Sequence, residues 1–271
     1  MLSKQIFLTA FGMIFTNFTT TLRITLPIFL VGVLVPYVFA RMMWGNGDIV
    51  WNGTSGTVQD PGIFPILFVV LVMTVCFIAM IVLWHRHNLL PATQTRPRSF
   101  PPVSAVKRYI LVSLGLGLVL GLLSVPAGFI LFLALKLLSG ITQLPPAFYL
   151  VLFVVLTTVV LSVVMRWSLI LPAAAIGAPL TMGNAWRMSA TASRSILFLA
   201  VAQGILYFLL EFVGGRIAEV IPGLATITSL IVLWFQMLFS AALLTALYAH
   251  LIQNTEETPV PATRPYLGPQ S

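Results

Sequence analysis

The sequence predicts an all-α polytopic membrane protein, with six transmembrane helices and two interfacial amphipathic helices. It forms a single transmembrane domain over residues 1–250, followed by a disordered tail at 251–271. Three observations carry this expectation. Of the 271 residues 59% are hydrophobic and only 7% are charged, against roughly 25% charged in an ordinary soluble domain. The apolar residues gather in runs of about 20, the length a helix needs to cross a ~30 Å hydrocarbon layer. The basic residues stand at the ends of those runs. A chain this apolar is not a disordered one, and a soluble core of this size has no room for so many apolar side chains.

Residues 3–22 make the first element. Gln5, Thr9, Gly12, Thr16, Thr19 and Arg23 recur at spacings of three and four and form one polar stripe. Ile6, Phe7, Ala10, Phe11, Ile14, Phe18 and Leu22 occupy the other side. This pattern predicts a helix in the membrane interface with its phenylalanines down among the acyl chains. The alternative is a spanning helix with its polar face inside the bundle. The first span follows at about 24–43, contains Pro27 and Pro36, and ends in Arg41 and Trp44. A Gly-rich polar loop at 44–63 leads to the second span, about 64–84. Residues 85–108 hold four prolines and five basic residues, Arg86, Arg96, Arg98, Lys107 and Arg108, with no acid. They predict an extended, positively charged loop.

The third span is placed at about 109–135, in an apolar run longer than the bilayer core, so a tilt or a kink at Pro126 must absorb the excess. Ser113, Gly117, Gly121, Ser124 and Gly128 fall on one face of this helix and predict a groove for a neighbouring backbone. A loop at 139–147 precedes the fourth span, about 148–165, closed by Arg166. Residues 167–178, broken by Pro172 and Gly177, read as an interfacial or shallow re-entrant segment. Thr181 is placed to cap the second amphipathic helix, whose polar stripe is Asn184, Arg187, Thr191 and Arg194. The fifth span lies at about 195–216 and the sixth at about 227–250, with Pro222 and Gly223 turning the chain between them. Residues 10–22 and 185–197 play similar parts. Aligned directly, they share Ala10/Ala185, Met13/Met188, Thr16/Thr191 and Leu22/Leu197.

Six spans put both termini on one side. That side carries Lys4, Arg23, the five loop residues, Arg166, Arg187, Arg194 and Arg264; the other carries Arg41, Lys136 and Arg216. The positive-inside rule makes the termini cytoplasmic, and the net charge of +8 reads as topology and headgroup contact rather than nucleic-acid binding. Little else carries chemistry. There is no HExxH, no GxSxG, no Walker loop and no paired carboxylate, so no enzyme, cofactor or metal site is expected. Cys76 stands alone and reads as packing. His85 and His87 flank Arg86 without a further ligand nearby.

Two groups of ionisable residues remain as candidates. Arg166, Arg187 and Arg194, with Arg86 and Arg108, suit the headgroup of an anionic phospholipid. Glu211 is the one acid inside a span, about 24 Å along it and close to the outer interface, where Lys136 and Arg216 are in reach. The expected partners are membrane lipids, with a protein partner or a second copy of the chain left open. The alternative function is a small transporter or permease subunit, which needs polar groups such as Thr157, Thr158, Ser162, Gln203 and Gln236 to converge on one cavity.

The stretch Arg166-Trp-Ser-Leu-Ile-Leu-Pro-Ala-Ala-Ala-Ile-Gly177, followed by Asn184-Ala-Trp-Arg-Met-Ser189, resembles a signature of bacterial integral membrane proteins. These are the proteins related to the membrane domain of glycerophosphoryl diester phosphodiesterases. The amphipathic helix before the first span fits the same pattern. The resemblance implies a bacterial inner-membrane fold. It does not carry phosphodiesterase activity across, since no such catalytic domain is appended within these residues. Ile176-Gly177-Ala178 also stands where an acid often follows the proline segment.

Overall fold

A computed structural model describes residues 2–44, 63–90, 101–141 and 146–256. Most of the loop expected at 44–63, Arg96 and Arg98, most of the tail and the centre of the loop at 139–147 lie outside the described residues. Among the described residues the chain is helical apart from short turns, with no strand. The helices are α1 (Leu2–Phe15), α2 (Phe18–Trp44), α3 (Ile63–Leu89), α4 (Val103–Ile141), α5 (Pro146–Ser168), α6 (Ile170–Ile176), α7 (Met182–Ser189), α8 (Ser193–Val220) and α9 (Ala225–Glu256). Six helical segments are long and apolar enough to cross a bilayer, and α1 is not among them.

The surface has the polarity of a protein dissolved in lipid. Leu111, Leu114, Leu118 and Leu122 of α4 are 64–70% exposed. In water an apolar stripe of this kind is a docking or aggregation hazard; in hydrocarbon it is the ordinary outside of a helix. The interior is built around α9, which packs against α1, α3 and α8. Phe239, Leu243 and Leu247 of α9 are fully buried, beside Trp84 and Met80 of α3 and Leu199 of α8.

The first corner breaks earlier than the hydrophobic pattern suggested. The chain turns at Thr16–Asn17, and α2 begins at Phe18 rather than near residue 24. The Thr21 hydroxyl donates to the carbonyl of Ile14 at 3.0 Å, taking up an acceptor that the end of α1 leaves without an intrahelical partner. Ile6, Ala10 and Ile14 are buried. The α1 phenylalanines meet α9 rather than acyl chains alone. Phe7 and Phe11 lie against Phe239, Phe15 against Phe235, and Phe18 against Trp234. From Phe7 to Phe15 of α1 the partner on α9 moves only from Phe239 to Phe235, so α1 crosses α9 obliquely. The second corner matches the first in register, because Phe18 and Ser193, the first residues of α2 and α8, are aligned positions in the sequence match given above.

Residues 167–178, expected as an interfacial or shallow re-entrant segment, are largely helical and buried. They continue α5 through a break at Leu169 into α6, whose Pro172, Ala173, Ala174 and Ala175 are buried against α3 and α4. Pro172 causes the break, because it has no N–H to offer the carbonyl four residues earlier, at Ser168. Gly177 ends α6 at φ 94° and donates its N–H to Ala173 O at 2.9 Å. A Cβ at Gly177 would stand 3.1 Å from an Arg108 guanidinium nitrogen, so both the backbone and the space require glycine here.

The expected groove on α4 has no partner among the described residues. A Cβ added at Gly117, Gly121 or Gly128 meets nothing within 4 Å. Ser113 and Ser124 turn their hydroxyls to their own helix, onto Ile110 O and Gly121 O. Small spacing alone does not bring a neighbour; packing elsewhere decides which face of α4 turns to lipid. The close helix approach lies between α2 and α3, where a Cβ at Gly32 would stand 2.7 Å from Cβ of Cys76.

Candidate functional site

The five arginines grouped in the sequence divide into two sets. Arg86 donates to Ala175 O at 3.0 Å and Arg108 to Ala174 O at 2.8 Å. Both guanidinium groups therefore serve the last carbonyls of α6, where the helix dipole is negative and acceptors lack intrahelical donors. They tie α3 and α4 to α6.

The second set stands at the junction of α5, α7 and α8. Thr181 caps α7 as the sequence indicated, its hydroxyl accepting from the N–H of Asn184 at 3.3 Å. The turn at 177–181 folds α7 back onto the end of α5. There the Arg166 guanidinium lies 4.6 Å from the centroid of Trp186, and Trp167 packs on the same indole at 5.9 Å. Arg187 is exposed and donates to Asn184 Oδ1. Arg194, on the first turn of α8, is exposed and has no hydrogen bond or ion pair among the described residues. Stacking on an indole fixes the guanidinium plane while its edge N–H groups stay free for an oxyanion.

Glu211 accepts a hydrogen bond from Gln236 Nε2 at 3.0 Å and is exposed at the α8 surface. Arg216, expected within its reach, pairs with Glu219 at 2.7 Å instead. Glu211 lies at one end of a polar row. Gln203 donates to Tyr207 OH at 2.8 Å and to Ser240 Oγ at 3.0 Å. Tyr207 donates to Gln236 O at 2.7 Å and also meets Ser240 Oγ. Of the scattered polar residues noted in the sequence, Gln203 and Gln236 thus converge between α8 and α9. Ser162 instead bonds Thr158 O within α5. Tyr207 and Ser240 were missed, although Gln203, Tyr207 and Glu211 at intervals of four already form one helix face.

His85 and His87 point apart. His85 is fully buried with Nδ1 2.8 Å from Thr245 Oγ1, and His87 is exposed. No family model, curated protein or solved structure matches this chain. Arg166 on the Trp186 indole and the exposed Arg187 that follows it in α7 can each offer N–H groups to an anion, and the polar row between α8 and α9 can orient a polar solute.

Proposed function

We propose that this chain is a non-enzymatic integral protein of a bacterial cytoplasmic membrane, with both termini in the cytoplasm, and that it holds anionic phospholipid at the α5–α7 corner. The observation that carries the reading is Arg166 stacked on Trp186 with Arg187 next along the same short helix. Each basic side chain at a headgroup layer contributes about 1 kcal/mol toward anionic lipid. Like charges gathered at a low-dielectric boundary repel unless an anion sits among them. The asymmetry of basic residues supports the orientation, and the resemblance to proteins related to the phosphodiesterase membrane domain supports the bacterial setting. Arg166→Gln with Arg187→Gln is expected to reduce the phosphatidylglycerol that co-purifies, measured by lipid mass spectrometry. Arg96→Gln with Arg98→Gln is the charge-matched control and is expected to change it less. Equal retention in both double variants leaves the arginines as orientation anchors.

The α8–α9 row favours a second reading, a small transporter or permease subunit in which Glu211 couples a proton. Proton flux in proteoliposomes that is present in the native chain and lost in Glu211→Gln would favour it over the lipid reading.

A further inference from the structure

We propose that the recess between α1 and the last turn of α3 is a separate phospholipid site, which takes the phosphate of one headgroup. The recess has a volume of about 340 Å³, and its polar lining includes Thr9, Thr16, Asn17, Thr20, His87 and Asn88. Its depth follows from the packing. Phe29 stacks on Phe77 and Gly32 meets Cys76, an antiparallel register that brings Thr20 level with the last turn of α3. α1 lies beneath, its rings on Phe235 and Phe239. The polar stripe of α1 is thus the floor of a depression at headgroup level.

The donors in it are unspent. Elsewhere in the bundle hydroxyls bond back to their own helix, as Thr25 does to Thr21 O, Ser162 to Thr158 O and Thr245 to Ala241 O. The side chains of Thr9, Thr16, Asn17, Thr20 and His87 make no hydrogen bond among the described residues. The lining also selects by what it lacks. Among the described residues it contains no carboxylate to pair with an ammonium group and no aromatic cage for a quaternary amine. Hydroxyl, amide and imidazole donors suit phosphate oxygens. With no lysine or arginine in the lining among the described residues, the site takes the phosphate common to phospholipids rather than discriminating by net headgroup charge.

The inference rests on the membrane orientation proposed above, not on the arginines, and the experiment separates the two. The full chain is placed in nanodiscs of phosphatidylethanolamine and phosphatidylglycerol and released into native mass spectrometry. Thr9→Val with Thr20→Val, both exposed helical positions, and separately His87→Leu, are each expected to lose one tightly held phospholipid, with retention about tenfold weaker. Arg166→Gln with Arg187→Gln is expected to keep that lipid and lose only the preference for phosphatidylglycerol. Native retention in both recess variants, with unchanged melting, would overturn the site. Inorganic phosphate alone is the second arm. It is expected to leave the melting of delipidated protein unchanged. A phosphate-dependent rise abolished by Thr9→Val with Thr20→Val, without any change in lipid retention, would assign the oxyanion to a soluble phosphate and overturn the lipid.

Discussion

His85 has one tautomer written into its surroundings. The Thr245 hydroxyl spends its proton on Ala241 O at 2.7 Å, so toward His85 it can only accept. The imidazole therefore carries its proton on Nδ1, and Nε2 is a lone pair buried without a partner among the described residues. Nitrogen-15 shifts of a histidine-labelled sample are expected to report the Nδ1–H form for His85; the Nε2–H form would show that the Thr245 contact is not made. Thr245→Val strands a second buried nitrogen and is expected to destabilise the protein by about 1–3 kcal/mol in a detergent melting series. Nothing in the sequence indicated this bond, because it joins positions 85 and 245.

Between helices, contact geometry overrides the small-residue pattern. Gly32 was unremarked in the first span, yet a Cβ there would stand 2.7 Å from the Cβ of Cys76, an atom with no freedom to move aside. Gly32→Ala is expected to cost about 1–3 kcal/mol of stability by separating α2 from α3. Gly117→Ala and Gly121→Ala meet open space and are expected to melt like the native protein or slightly higher, since alanine favours a helix. A loss of stability in the α4 variants alone would mean that a neighbour, such as a second copy, covers that face. Arg108→Met tests the α6 clamp. It leaves Ala174 O without its donor and is expected to lower the melting temperature while sparing lipid retention, which separates this arginine from Arg166 and Arg187.

For the molecule as a whole, the six spans and their charge asymmetry make one checkable statement. Reporter fusions after Asn184 are expected to report the cytoplasm and fusions after Gly223 the opposite side, since α8 separates them. A cytoplasmic signal at Gly223 would remove the orientation on which both lipid sites depend.

What the sequence by itself determined is what depends on composition and on neighbours close along the chain. The helical class, the six apolar segments, the Thr181 cap and the polar stripe of α1 all follow from periodicity and hydropathy, because a backbone in hydrocarbon must satisfy its own hydrogen bonds. The spans ran past their predicted ends at α2, α3 and α4, because hydropathy marks where lipid stops while the helix continues as long as its hydrogen bonds are met. Only the tertiary structure decided which of five similar arginines bond to a distant backbone carbonyl. Arg86 and Arg108 are claimed by carbonyls 89 and 66 residues away, and no local pattern encodes that distance. The same holds for Gln203 with Ser240, for Gly32 with Cys76 and for the recess that joins α1 to the end of α3. In lipid every apolar face is equally well solvated, so hydropathy cannot say which face turns inward. Steric fit and hydrogen bonds between distant segments make that choice.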